Sequence, residues 1–228
     1  MEILFEDNHI IVVLKPQNVP SQADESNDKD MLTMVKDYIK EKYNKPGNVY
    51  VGLVHRLDRP TGGVMVFAKT SKAASRLSEQ FKNGEAEKTY FAVVRGNLKL
   101  SQGKLVNYLL KDEKNNKVQI VPMSTSGAKK AELSYIKLES YDNLHLLKVK
   151  LGTGRGHQIR VQLANIGVPV YGDQKYGGED MPKANLNLFA VELKIYHPIT
   201  KEKMVFRVYP PEKSAMWNKF NLEKYLSL

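Results

Sequence analysis

Between Glu87 and Leu151 the chain offers five strand-like runs in close succession, and none of the breaks between them has room for a long helix. Glu87–Gly96, Lys104–Leu110, Lys117–Val121, Ala131–Ser140 and His145–Leu151 are rich in β-branched and aromatic residues and are separated by polar or turn-forming stretches. Four or five strands in succession without long helices indicate an antiparallel sheet, with the strand order left open. Further strand signals lie at Ile3–Glu6, Ile10–Leu14, Gly63–Lys69, Leu188–Tyr196 and Met204–Val208. Helical spacing appears in Met31–Tyr43, where Met31, Met34, Val35, Tyr38 and Ile39 share a face, and in Ser71–Phe81 through Ala74, Leu77, Ser78 and Phe81. A third helix is expected over Gly156–Ile166, with Arg160 early in it, and Trp217, Phe220 and Tyr225 mark an amphipathic tail that anchors in the core. The fold class is therefore α+β, a long mixed or mainly antiparallel sheet with flanking helices. The polar stretch SQADESNDKD after Pro20 reads as a mobile surface loop rather than a linker.

One core suffices for 228 residues, so residues 1–228 are expected to form a single domain. There is no cysteine and the five histidines lack metal-site spacing, so neither a disulfide framework nor a metal site is expected. The start, MEILFEDNHIIVVLK, has acids in place of the basic region of a leader, and no apolar run approaches the roughly 20 residues of a membrane span. A cytoplasmic location is expected. Lys and Arg outnumber Asp and Glu by 35 to 25, a net charge of +10 that suits a polyanionic partner, nucleic acid first. A solvated lysine surface produces the same balance, so charge permits that partner without requiring it.

Three segments can carry chemistry. In HRLDRPTGGVMVFAKT, Asp58 sits between Arg56 and Arg59, ahead of a glycine pair that turns the backbone into a buried strand. Such an aspartate is either a reactive carboxylate or a residue that bonds turn amides, and taken alone the second duty is the commoner. In GTGRGHQIR, the glycines match neither the dinucleotide fingerprint nor a Walker loop, but Arg155, His157, Gln158 and Arg160 gather donors for a carboxylate or phosphate at a helix start. In KTYFAVVRG, Tyr90 shares a strand face with Ala92 and Val94, the pattern of a core tyrosine.

Taken together and in this order, HRLDRPTGG, KTYFAVVRG and TGRGHQIR resemble the signatures of the RluA-type family of RNA pseudouridine synthases, and the likeness runs from Asn8-His9-Ile10 through Lys15-Pro16 to His197-Pro198. The resemblance implies a mixed, mainly antiparallel sheet with a central cleft, no cofactor, and conversion of a uridine within ribosomal or transfer RNA to its C-glycoside isomer. It places the catalytic aspartate on Asp58, the active-site tyrosine on Tyr90, and the arginine that pairs with the aspartate on Arg160. It puts Arg56 in the role of filling the space left by a displaced base, and it extends RNA contact to His55, Arg155, His157 and Gln158. RNA is the implied partner, in a loop or bulge where displacing a base costs least, with the protein acting as a monomer and without metal or membrane.

Three positions depart from the family pattern: Gly62-Gly63 stands where relatives have Ser-Gly, and Gln162 and Phe189 stand where relatives carry histidine. No small RNA-binding module is expected ahead of Met1, and RNA selection is expected to fall to the catalytic domain. Two other readings stay open at this point: an RNA-binding protein without chemistry, and an enzyme that cuts the glycosidic bond and releases uracil.

Overall fold

The computed structural model describes residues 1–211 and 216–226. In chain order the elements are β1 (Glu2–Glu6), β2 (Ile10–Lys15), α1 (Met31–Lys42), β3 (Gly52–Leu53), β4 (Gly62–Ala68), α2 (Ser71–Asn83), β5 (Glu87–Arg95), β6 (Gln102–Asp112), β7 (Lys117–Val121), β8 (Lys129–Tyr141), β9 (Leu144–Leu151), α3 (Gln158–Asn165), β10 (Leu188–Tyr196) and β11 (Lys203–Arg207), with 3-10 turns at Trp217–Lys219 and Glu223–Tyr225. Their contacts divide into two compact units. One comprises Met1–Glu87 with Glu192–Val208, and the other comprises Lys88–Val191 with the segment from Tyr209 onward.

In the first unit, β2 lies between β1 and β4, antiparallel to both, and β3 pairs with the far end of β4. All seven residues of β4, GGVMVFA, are buried, as is the IIVV run of β2. Such unbroken apolar runs belong to strands covered on both faces. Helix α1 is capped by Asp30, whose carboxylate accepts from Thr33 N at 3.1 Å, and it buries Met31, Val35 and Ile39. Thr70 caps α2, which closes on Gly84 at φ 77°. The buried face of α2 runs through Ala73, Leu77 and Gln80, so Leu77 is buried as expected while Ala73 and Gln80 take the core positions expected of Ala74, Ser78 and Phe81. Gln80 explains the shift: its amide bonds the main chain of Tyr196 in both directions, at 2.8 and 2.9 Å, so a polar residue occupies a core position that hydrophobicity alone does not predict.

Glu6 closes the outer edge of this unit. Burial opposes its charge, but Lys42, Lys69, Tyr43 and Tyr38 all bond its carboxylate and together hold it down to about 2. On β11's hairpin, His197 Nδ1 accepts from Thr200 N at 2.9 Å, so its proton sits on Nε2 and donates to Asp7 at 2.9 Å.

The second unit contains the strand succession read from the sequence. Strands β5, β9, β8, β6 and β7 lie in that order, each antiparallel to the next, with one bulge in β8 between Lys137 and Glu139. A small core of Leu109, Val118, Ala131 and Val161 joins the sheet to α3, with Ile120 and Tyr176 packed against it. The tail residues Trp217 and Phe220 are buried, as expected of anchors. The α+β class and the mainly antiparallel pairing hold in both units. Among the described residues, no helix is long and apolar enough to cross a membrane, and no cluster of three or more His, Cys, Asp or Glu is arranged to hold a metal ion.

Candidate active site

Asp58 lies in the turn that feeds β4, and a buried lysine shapes that turn. Lys15 ends β2 with none of its surface exposed. Its Nζ donates to Thr61 O at 2.7 Å, Arg59 O at 3.0 Å and Pro16 O at 3.0 Å. Three carbonyls absorb three ammonium protons, an arrangement a neutral amine cannot complete because it has only two. Burial pushes the lysine down to about 7, Asp58 pulls it back up, and Arg59 opposes Asp58. The turn is further fixed by Thr61 N donating to Asp58 O at 2.9 Å, by Gln17 donating to Pro60 O at 3.1 Å, and by Gly63 at φ 127°, a backbone region that side chains avoid.

The residues around Asp58 divide by environment. Arg56 is exposed. Arg59 spends its guanidinium on Asp28 and, at 3.5 Å, on Asp24. His55 stacks on Phe81 with ring centroids 4.5 Å apart, and its Nε2 accepts from Val66 N at 3.1 Å, so one ring nitrogen braces the start of the Asp58 loop against β4. The SQADESNDKD stretch is a loop, but a stitched one: Ser21 Oγ donates to Leu57 O at 2.7 Å and accepts from Leu57 N at 3.1 Å.

The other candidate residues lie in the second unit. Tyr90 is on β5 and buried at 5% exposure, which agrees with its core pattern. Two residues earlier on the same strand face, Lys88 sits so close to the glycine loop that a Cβ on Gly154 would fall 2.9 Å from its Nζ, and burial lowers its pKa. Arg160, on the first turns of α3, is 5% exposed and its Nε and Nη2 each donate to the Asp173 carboxylate at 2.7 Å. That carboxylate also accepts from the main-chain N of Lys175 and Tyr176. A forked guanidinium–carboxylate pair with its remaining lone pairs filled is the form in which buried charges are tolerated.

Tyr176 links this pair to the helix start. Its ring lies 5.2 Å from the Arg160 guanidinium carbon, its hydroxyl accepts from Val118 N at 2.8 Å, and it bonds His157 Nδ1 at 2.7 Å. His157 precedes α3 in the left-handed region at φ 51°, a conformation that needs such an anchor. Gln158, expected among the RNA contacts, is 2% exposed, and its amide is consumed internally. It accepts from Thr153 Oγ1 at 2.7 Å and Arg155 N at 3.0 Å, and donates to Glu132 O at 2.9 Å. It therefore shapes the glycine loop rather than offering donors to a ligand. Arg155 is exposed and anchored through Nε to Lys130 O at 3.0 Å. Gln162 and Phe189 are packing residues: Gln162 bonds Asn107 at 2.7 Å, and Phe189 is buried.

Sequence reasoning missed Lys15, Asp173 and Tyr176. Lys15 carried a signal, a charged residue continuing the apolar run IIVVLK without a break. Asp173 carried a weaker one, since a cation inside an apolar helix face requires an acid somewhere, and the segment YGDQKYGG supplies it.

Residues 9–165 match the family described as RNA pseudouridylate synthase. The chain is 36% identical over 226 residues to an uncharacterized RNA pseudouridine synthase of Aquifex aeolicus, covering 93% of this chain and 70% of that one. It is 34% identical to the ribosomal large subunit pseudouridine synthase D of Borreliella burgdorferi, with coverage of 85% and 60%, and 30% identical to the dual-specificity RNA pseudouridine synthase RluA of Vibrio parahaemolyticus, with coverage of 93% and 90%. Among solved structures, human RNA pseudouridylate synthase domain containing 4 shares the fold, with a TM-score of 0.78 at 22% identity over 92% of this chain and 88% of that one. On these matches, and on the three signature segments it carries in order, the chain belongs to the RNA pseudouridylate synthase family, in its RluA-type branch.

Proposed function

We infer that this protein isomerises uridines within ribosomal or transfer RNA to pseudouridine, with Asp58 starting the reaction and no cofactor taking part. The observation that carries the reading is the Asp58 turn of a family member, built on a buried ammonium and three main-chain bonds. A rigid turn holds a carboxylate in one place, as a reaction at one sugar requires. Relatives named for ribosomal RNA, for transfer RNA and for dual specificity support this substrate class.

In this reaction the Asp58 carboxylate either attacks C1′ of the ribose or removes the 2′ proton, and the N1–C1′ bond breaks with its electron pair going to the base. The uracil turns within the site and C5 joins C1′, on the first route displacing the Asp58 oxygen from C1′ and on the second with the 2′ proton returned to the sugar; the C5 proton leaves as N1 gains one, so the RNA keeps its composition. Arg160 is assigned the family's role of the arginine that serves the catalytic aspartate. Tyr90 packs against the base and helps remove the C5 proton. Arg56 takes the space the base vacates, and Arg155 and His157 meet the phosphates, while His55 and Gln158 hold the loops that carry them. The protein acts as a single-domain monomer in the cytoplasm.

The test is nucleoside chromatography, which separates pseudouridine from uridine, together with mass analysis of an RNA stem–loop incubated with wild type and with Asp58→Asn. Wild type is expected to form pseudouridine without change of RNA mass, and Asp58→Asn none. Full activity of Asp58→Asn refutes the assignment, loss of uracil mass points to a glycosidase, and binding without product points to an RNA-binding protein.

A further inference from the structure

The chain carries a net charge of +10, yet its Ser21–Asp30 stretch holds four acids against one lysine and is tied to the catalytic turn. Its two ends are drawn together, because Met31 N donates to Pro20 O at 2.9 Å and Leu32 N to Ser21 O at 3.3 Å, which makes it a closed loop. Ser21 fastens that loop to Leu57. At its tip, Asp28 bonds Arg59 Nη2 and Asp24 lies 3.5 Å from Arg59 Nη1. Ser26 orients Asp24 through both its hydroxyl and its main-chain N, at 2.5 and 3.0 Å. Ser26, and after it Arg59, holds the Asp24 carboxyl below its ordinary range.

Arg59 follows Asp58 directly, and its carbonyl is gripped by Lys15, so its side chain starts from a fixed point one residue from the reactive carboxylate. An RNA strand that brings a ribose to Asp58 carries phosphates on either side of it, within the reach of an arginine anchored there. Two carboxylates around one guanidinium present the charge and acceptor geometry of that backbone. The side chains of Arg59, Asp24 and Asp28 are 40%, 40% and 55% exposed, so the contact is a solvent-facing latch that phosphate can replace at little cost.

We propose that Arg59 is an RNA-phosphate site beside the catalytic carboxylate, and that Asp24 and Asp28 occupy it in place of phosphate until RNA displaces them. The inference rests on the reading of Asp58 as the group that meets the target uridine. The acidic loop then acts as a selectivity filter: weak polyanion contacts fail to open the latch, while an RNA that also delivers a uridine to Asp58 succeeds.

The experiment measures affinity for a fluorescein-labelled RNA stem–loop with uridines in its loop, by anisotropy across a salt series, in an Asp58→Asn parent. Added to that parent are Asp24→Asn with Asp28→Asn, Arg59→Gln alone, and all three changes together. Releasing the latch is expected to tighten binding about two- to fivefold at low salt and to steepen the salt slope by about 0.7, one single-strand phosphate contact. The gain is expected to vanish when Arg59→Gln is also present. A gain that survives Arg59→Gln is a general charge effect and overturns the proposal, as does no gain at all. Pseudouridine made by the Asp58→Asn parent would sink the reading of Asp58, a result separate from the affinity comparison that decides the latch.

Discussion

Replacing Lys15 with methionine keeps the length of the stem and removes the ammonium, so two opposing quantities decide the outcome. On one side, the lysine falls from its ordinary 10.5 to about 7, and at about 1.4 kcal/mol per unit this sets the penalty for keeping the buried group charged at roughly 5 kcal/mol. Lys15→Met relieves that penalty. On the other side, Thr61 O, Arg59 O and Pro16 O lose their donor. Each buried carbonyl left unsatisfied costs about 1–3 kcal/mol, or roughly 3–9 kcal/mol for the set. Near neutral pH the two quantities come close to cancelling, and the informative variable is pH. Because the folded-state pKa lies below the unfolded one, the unfolded chain binds more protons between about pH 7 and 10.5, so this lysine makes wild-type stability rise through that window. The variant lacks the rise. Urea unfolding of both proteins at about pH 6 and about pH 9 is expected to show Lys15→Met losing about 3 kcal/mol more, relative to wild type, at the higher pH. Equal differences at the two pH values would refute the buried, proton-linked clamp.

Glu6 is expected to behave in the opposite sense. Its folded pKa of about 2 lies below the ordinary 4.5, so its contribution of about 3 kcal/mol is present above about pH 4.5 and fades as pH falls towards 2. Thermal melts of Glu6→Gln should therefore trail wild type at neutral pH and meet it in acid. Asp173→Asn leaves the Arg160 charge buried with half its partner gone, which is expected to cost about 3–5 kcal/mol and more than tenfold in turnover. Arg160→Met combined with Asp173→Leu should recover most of that stability with activity still absent, and recovered turnover would show that Arg160 serves the fold alone.

The parts of the fold governed by period and local chemistry were legible. Strand β10 matches its expected bounds, β5 matches within a residue, and the five strands of the run form one antiparallel sheet in which only β6–β7 and β8–β9 pair in chain order. Capping of α1 and α2 follows from single residues, Asp30 and Thr70. The α2 face was misread in part because Gln80 is buried for its hydrogen bonds rather than its hydrophobicity. Polar composition misled in a second place: SQADESNDKD reads as mobile because nothing in its spacing reveals that Ser21, Asp24 and Asp28 find partners in Leu57 and Arg59.

The candidate site shows where spacing ceases to inform. Lys15 bonds carbonyls 44 and 46 residues away, and Arg160 bonds an acid 13 residues away beyond the end of its helix, so neither pair falls at the three- or four-residue distance at which charges meet on one element. What a sequence does disclose is the demand: a lysine that continues an apolar strand, or an arginine within an apolar helix face, cannot stay buried unpaired. The partner is chosen by topology. Strand β2 runs antiparallel to β4 with Lys15 opposite Gly63, and that register alone brings the ammonium beneath the turn that carries Asp58. A one-residue slip would send Lys15 to the other face of the sheet and leave the three carbonyls without their donor, so the pairing of these two strands is also what shapes the Asp58 turn.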